Sequence, residues 1–492
     1  MKEVLGGKDM KILYYNWIQF DKKNNTGGGV NVYQKNLVDE FTKNDDNEVF
    51  FLSSGIYYDL FRRKIHFKET KNIYGDKCRT FKLINSAITA PASTMAKDIK
   101  NYLEDNKDYE ALKQFIEKYG PFDVIHFNNI EGLSLKCLKL KKDFPNTKFI
   151  FSVHNYVPFC PQVNLFYDEE ENCKDYCNGK KCVQCVEKFS SKRENLLYYK
   201  IDYILEKLHM EDQSKKLKKF LKNLKHKICK NKTQKVNNKK LENSKYYVEY
   251  RKENVKALNE NFDVILAVSD RVRKIAIDMG INENKVYTNY IGTKFANTAI
   301  NHKVHKNDRD TINIAYLGYF EKKKGFDFLV ESLEKLPKEY GKKINFYCYA
   351  KINSDDDQKR LETLENVKNN LLNVYHYNGY THDELSKILS NIDLGIVPVI
   401  WEDNLPQIAI EFIANGVPII TSDMGGAQEL FNNNDFVFEA GNTDEFILKL
   451  ENIIDNKEKL DEFFTKTNKL TSMDEHINAL LNYYKEIIKE KE

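Results

Sequence analysis

One alternation constrains the fold of this chain more than any other feature. Short runs rich in β-branched and aromatic residues, "KILYYN" (11–16), "EVFFLSS" (48–54), "FDVIHF" (122–127) and "KFIFSVHN" (148–155), are separated by stretches of helical periodicity such as "VYQKNLVDEFTK". Continuous apolar strands of this kind are buried on both faces, and helices between them imply βαβ units and a parallel sheet. A second series starts near Asn261, with "FDVILAVS", "KVYTNYIG", "INIAYLGYF", "KINFYCYA", "NVYHYNGY", "DLGIVPVI", "PIITSD" and "DFVFEA". The expected fold class is α/β, with two Rossmann-like, doubly wound domains facing a central cleft. The series divide the chain into an N-terminal domain (10–185) with a Cys-rich loop (160–185), a helical Lys-rich insertion (186–260) and a C-terminal domain (261–470). A last helix (471–492) is expected to return to the N-terminal domain.

The net charge of +4 hides an asymmetry. Lys215–Lys240 holds twelve lysines and no acid, which leaves the remainder of the chain net acidic. This excludes a generally basic nucleic-acid binder and describes an enzyme-like body with one basic arm. In the arm Leu217, Phe220, Leu221, Leu224 and Ile228 recur at helical spacing. Such a stripe suits either the protein's own surface or an anionic membrane surface. No apolar run is long enough to span a bilayer, and the N-terminus lacks a signal-peptide core. A cytoplasmic location is expected, with membrane contact limited to the inner face.

Of nine cysteines, five fall in the pattern Cys160-x12-Cys173-x3-Cys177-x4-Cys182-x2-Cys185. In a cytosolic chain this clustering points to metal or structural thiols rather than disulfides. Cys160, Cys173, Cys182 and Cys185 are the expected ligands of a structural zinc, with Cys177 spare; four thiolates leave no open position for catalysis.

Ligands of open parallel sheets bind beyond the carboxyl ends of the strands. "NTGGGVNVYQKNL" follows the first strand, and Gly28 and Gly29 permit close backbone approach before a helix N-terminus that favours an anion; a tight structural turn explains the glycines equally well. In "YLGYFEKKKGFDFL", Lys324 and Gly325 end a strand-to-helix loop, where a lysine can hold a phosphate. Three consecutive lysines also read as plain solvated charge. In "WEDNLPQIAIEFIANGVPII", Asp403 and Asn404 read as N-cap residues, Pro406 suits the first turn and Gly416 the C-terminal cap. Leu405, Pro406 and Gln407 then form a helix start able to face a phosphate. Glu411 lies about two turns inside this apolar helix, where a carboxylate is costly unless it accepts hydrogen bonds; the vicinal hydroxyls of a ribose would supply them. "NSDDDQK" (353–359) reads as a solvated polar turn.

Together these stretches resemble the retaining nucleotide-sugar glycosyltransferases of family 4, which have the GT-B fold. The resemblance rests on Asp403-x7-Glu411 followed by "FIANGVPIITSDMGGAQEL", on "FDVILAVSDRV", "NYIGT", "LGYFEKKKG" and "NGYTHDELSKILSNIDLGIVPV", and on "GGGVNVYQKNLV" and "SVHNYVPFCP" in the first half. It implies that Glu411 binds the donor ribose, Asp403 the transferred sugar near its reacting carbon, and Lys324 the pyrophosphate. Gly28 and Gly29 would let the backbone approach the donor, and His154 would be the active-site histidine. Two departures from the family pattern are Tyr319, where an arginine is usual, and Asp403, where a glutamate is more common. The implied reaction moves a sugar from a nucleoside diphosphate to a hydroxyl of a glycan or lipid-linked acceptor, and no cofactor is required for catalysis. A nucleotide-sugar 2-epimerase of the same fold and a non-catalytic sugar-binding scaffold are the alternatives.

Overall fold

The computed structural model describes residues 10–20, 28–43, 47–210, 241–294, 296 and 310–489 of the 492. The basic arm from Lys215 to Lys240, its apolar stripe and Gly27 lie outside the described residues. In chain order the strands are β1 (Met10–Tyr15), β2 (Asn47–Ser53), β3 (His66–Thr70), β4 (Cys78–Ile84), β5 (Val124–Phe127), β6 (Lys148–Val153), β7 (Phe166–Tyr167) and β8 (Glu171–Asn172). They continue with β9 (Val264–Ala267), β10 (Val286–Thr288), β11 (Ile312–Gly318), β12 (Ile344–Ala350), β13 (Asn373–Tyr377), β14 (Leu394–Val397), β15 (Ile419–Ser422) and β16 (Val437–Phe438).

One eight-stranded sheet runs β10-β9-β6-β5-β1-β2-β4-β3, and a six-stranded sheet runs β13-β12-β11-β14-β15-β16. All pairings in both are parallel except the edge pair β3–β4. The central strands β5, β6, β9, β14 and β15 are buried at every position, as their unbroken apolar runs require. An aspartate recurs just before three of these strands. The carboxylate of Asp123 accepts from the Lys11 amide (2.8 Å), that of Asp263 from the Phe149 amide (2.8 Å) and that of Asp393 from the Asn313 amide (2.8 Å). Each aspartate thus satisfies the leading amide of the neighbouring strand and fixes where the ladder starts.

The structure corrects the domain boundary at 261. β9 and β10, grouped by sequence with the second series, extend the first sheet: β9 pairs with β6 (Ile150↔Val264) and β10 with β9. The helix Ser244–Asn261 is therefore the crossover between two neighbouring strands, and the second sheet begins only at β11. Where the chain leaves the first domain, Thr293 bridges to Ser472, which lies just before the last helix. That helix, Met473–Lys489, packs on the first domain. Its Tyr484 hydroxyl lies 3.1 Å from the Tyr14 hydroxyl and 2.7 Å from His126 Nδ1. The polar segment at 353–359 is not a free turn. Ser354 caps the helix Asp355–Lys368 through a capping box, and Asp355, Asp356 and Asp357 occupy its first turn, where the helix dipole favours acids. Among the described residues no helix is long and apolar enough to cross a membrane.

In each sheet the chain steps from its first strand to one side and later returns to the other. The two switch points lie between β1 and β5 and between β11 and β14. Loops at such points splay apart and leave a crevice. The crevice of the second sheet is formed by the loops that carry Lys324 and Asp403.

Candidate active site

Lys324 ends a short 3-10 turn, Lys322–Lys324, after β11. Gly325 follows with φ +78°, and a Cβ there would stand 1.6 Å from the Pro398 carbonyl oxygen, so only glycine lets the loop close on the next strand end. This geometry points Lys324 Nζ at Asp403 Oδ2, 2.6 Å away, with the Trp401 ring 5.3 Å beneath it. Asp403 is 7% exposed. Its carbonyl accepts from the Gly426 amide (3.0 Å), and Gly425, at φ +72°, leaves room for that carbonyl, which a Cβ would meet at 2.1 Å. Burial pulls the Lys324 ammonium down, but Asp403 more than offsets this, and the net shift is upward. The lysine stays charged.

The helix after this loop is Gln407–Ala414, and Pro406, not Asp403 or Asn404, is its N-cap. The physical reason is that the expected caps are engaged elsewhere. The Asp403 carboxylate is drawn onto Lys324, and the Asn404 carbonyl accepts from Ser269 Oγ (2.7 Å). Pro406 holds an extended conformation (φ −61°, ψ 117°) and no side chain caps the first turn. Glu411 consequently lies about one turn inside the helix rather than two. It is 7% exposed, and its Oε1 is 3.1 Å from His382 Nδ1. Gly416 sits just past the helix end with φ +73°, as a C-terminal glycine should.

Across the cleft, Gly28 (φ +60°) opens the helix Gly28–Phe41. The Gly29 carbonyl accepts from Gln407 Nε2 (3.0 Å), and a Cβ on Gly29 would press on that side chain at 3.1 Å. The two predicted donor-binding stretches therefore touch through Gly29 and Gln407. Leu405, at 6% exposed, packs into the core beside them. The loop that carries Asp403 is tied to the first domain by a two-point ion pair between Arg271 and Glu402, and the turn Ala427–Leu430 after β15 by Glu429, which accepts from the amides of Asp270 (2.8 Å) and Arg271 (2.7 Å).

His154 follows β6 at the end of the first sheet. Its Nε2 is 3.3 Å from Asn128 Oδ1, and its ring centroid is 4.7 Å from that of Tyr33. Burial, aided by nearby His476, pushes its pKa down to about 3, so it is neutral at physiological pH. Since an amide oxygen only accepts, Nε2 carries the proton and Nδ1 offers a lone pair. Behind it, the Tyr33 hydroxyl is 2.7 Å from His476 Nε2, and His476 Nδ1 is 2.9 Å from the Tyr290 carbonyl. The carbonyl requires a proton on Nδ1, so Nε2 accepts from Tyr33. The last helix thus braces the histidine through one aromatic ring. Sequence reasoning missed Tyr33, His476, Asn128 and His382; only "NGYTHDEL" and "GGGVNVYQ" carried a trace of them.

Cys160, Cys182 and Cys185 are buried, Cys173 is half-buried and Cys177 is exposed. The first four line one cavity of about 10 Å³ together with Arg251, whose Nη1 is 3.2 Å from Cys182 Sγ. Burial pushes the Cys173 thiol up to about 11 and the Cys185 thiol up to about 12. Among the described residues no group of three or more His, Cys, Asp or Glu side chains is placed so that it could hold a metal ion. The strands β7 and β8 in this loop form a small hairpin that reaches the loops carrying Lys324 and Asp403. Asn172 Nδ2 donates to the Ile400 carbonyl (3.0 Å), and Glu170 pairs with Lys322.

Comparison with known proteins bears on the fold. Residues 297–470 match the family described as Glycosyl transferases group 1. An uncharacterized 41.2 kDa protein in the cps region of Klebsiella pneumoniae is 25% identical over 181 residues, a stretch covering 36% of this chain and about half (47%) of that protein. Sucrose-phosphate synthase from Thermosynechococcus elongatus superposes with a TM-score of 0.56 at 15% identity, over 98% of this chain and 100% of its own. Anabaena HepE in complex with UDP and glucose superposes with a TM-score of 0.55 at 10% identity, over 96% and 99%. The chain therefore has the GT-B fold, and its second sheet lies within the stretch that resembles the group 1 glycosyl transferases.

Proposed function

We propose that the protein is a retaining glycosyltransferase of family 4, moving a sugar from a nucleoside diphosphate sugar to a hydroxyl acceptor in polysaccharide, cell-surface glycan or glycolipid assembly. The observation that carries this reading is the contact between Lys324 and Asp403 at the switch point, with Glu411 one turn into the adjoining helix. Before a donor arrives, the lysine and the carboxylate neutralise each other. A pyrophosphate would take Lys324, and the uncapped first turn at Gln407 would share the developing negative charge on the leaving group. Asp403, released from the lysine, would then face the transferred sugar. Glu411 would accept the ribose hydroxyls, and neutral His154 would offer Nδ1 to a sugar hydroxyl. No proton relay through a metal is needed for departure of a diphosphate held this way. The UDP bound to Anabaena HepE and the cps location of the Klebsiella relative favour a uridine donor and a polysaccharide acceptor.

The test is calorimetry with a panel of nucleotide sugars. Glu411→Ala should keep the fold and lose about 1.5–3 kcal/mol of donor binding, the contribution of a hydrogen bond to a charged acceptor. Equal affinity in wild type and variant would remove the ribose assignment. Two further parts of the proposal lie outside the catalytic cleft. The cysteine loop holds one structural zinc, supported by four thiols around one cavity, and the basic arm docks on an anionic inner membrane face near a lipid-linked acceptor.

A further inference from the structure

Glu411 is nearly buried, and the imidazole of His382 stands on its carboxylate. The distance is 3.1 Å, with side-chain exposures of 48% for the histidine and 9% for the glutamate. The histidine begins the short turn His382–Glu384 that follows the loop after β13, so it comes from a different loop from the helix that carries Glu411. The carboxylate cannot be approached through its own helix, whose other residues around it, Ile410, Phe412 and Ile413, are core. The half-exposed ring of His382, from another loop, contacts the carboxylate at Oε1. The groups acting on that ring are few. The Glu411 hydrogen bond raises its pKa, burial opposes this, the charges of Glu411 and Asp383 add to the rise, and Lys35 from the helix Gly28–Phe41 subtracts from it. Tyr380, nearby, is itself pushed upward by burial and then by Glu411.

We propose that His382 is a gate on the donor site, occupying the face of Glu411 that a ribose must reach, so that a donor binds by displacing the imidazole. This inference rests on the reading of Glu411 as the ribose carboxylate. A vicinal diol offers two donors to a carboxylate, and the imidazole offers one. When the ring is protonated its hydrogen bond to the carboxylate is charge-assisted and harder to displace; when neutral it yields more readily. Binding is therefore weakest below the raised pKa of His382 and strengthens as pH rises through it, with a proton released on binding. His382 acts through Glu411 and is a positioning residue.

The experiment measures binding of UDP-glucose and, in parallel, GDP-mannose by calorimetry at pH 6.0, 7.0 and 8.0 in buffers of different ionisation enthalpy. The pyrophosphate diesters of these probes do not titrate in that range, so a pH dependence reports the protein. Wild type should bind several-fold more tightly at pH 8.0 than at pH 6.0 and release a proton. His382→Ala should bind about five-fold or more tightly than wild type at pH 6.0, with the pH dependence flattened. Weaker binding by His382→Ala, or an unchanged pH dependence, would overturn the gate. Glu411→Ala separates the two readings: loss of binding there with no effect of His382→Ala removes the gate alone, whereas no effect of Glu411→Ala removes the ribose assignment beneath it. Histidine titration by NMR gives an independent check. The His382 resonance should move back toward the ordinary value in Glu411→Gln, and an unmoved titration would overturn the pair irrespective of any ligand.

Discussion

Lowering the pH should reveal the brace behind His154 as a loss of stability, the His476 part of which one substitution removes while His154 and His126 keep theirs. His476 is 1% exposed, and burial pushes its pKa down to about 4, with the Tyr290 carbonyl opposing. In the unfolded chain a histidine titrates near 6.5. As pH falls below 6.5 the unfolded state takes up a proton that the folded state refuses, so stability is lost from there down to about pH 4. Linkage gives a loss of about 2 kcal/mol between pH 7 and pH 5 from this residue. Other groups titrate in the same window. Asp108, pushed up to about 7 by burial, acts with the opposite sign, so the comparison must be differential. His476→Gln keeps a polar side chain but has no titration. At pH 7 the variant should be the less stable, because the hydrogen bonds to Tyr33 and Tyr290 are disturbed. At pH 5 the gap should narrow by about 2 kcal/mol. Urea unfolding of both proteins at the two pH values measures this directly. A gap that is the same at both would refute the claim that His476 is held neutral between the last helix and the first domain.

Gly325→Ala should destabilise the second domain by about 3 kcal/mol or more, combining the left-handed backbone cost with a clash against the Pro398 carbonyl. Gly28→Ala, at a similar φ but with nothing within 4 Å among the described residues, should cost about 1 kcal/mol, and thermal unfolding of the pair checks the contrast. Asp403→Asn frees Lys324, so UDP binding by calorimetry should be unchanged or tighter while sugar transfer falls; a large loss of UDP binding would contradict the pairing seen here. Elemental analysis of protein purified without added metal should find one zinc per chain, and freely titratable Cys160, Cys173, Cys182 and Cys185 without metal would count against it. Anionic liposomes should co-sediment the intact protein at low salt, more than a variant lacking Lys215–Lys240, and salt should weaken the difference.

The strands were legible because burial on both faces leaves a local mark, an unbroken apolar run, and Asp403, Glu411 and Lys324 stood out against such runs. Sheet membership was not legible in the same way. "FDVILAVS" looks like any other central strand, and what assigns it to the first sheet is the reach of Asp263 to Phe149 and Lys141, contacts between residues distant in sequence. The helix start was misplaced for a related reason. Asp403 and Asn404 are good caps in isolation, but a lysine from one loop took the Asp403 carboxylate and a serine from another took the Asn404 backbone carbonyl, which an N-cap gives to the first helical bond. The roles of His382 and His476 were not legible although both lie in stretches the sequence reading used, because those roles arise from Glu411 and Tyr33, which only the folded chain brings to them.

The adjacency of β6 and β9 has a consequence for how this protein can vary. Everything from residue 154 to 263, including the cysteine hairpin and the basic arm, is a single excursion between two neighbouring strands of one sheet. Closing so long a connection, rather than the shortest helical crossover, adds only about 2 kcal/mol of chain entropy, because that cost grows with the logarithm of length. Chain entropy alone therefore does not fix the length of this connection, and the register of β6 against β9 is set by their own ladder. What holds the cysteine hairpin to one form is its own packing, with Cys160, Phe166, Cys182 and Val186 in the core and Asn172 bonded to Ile400, and not the length of the connection.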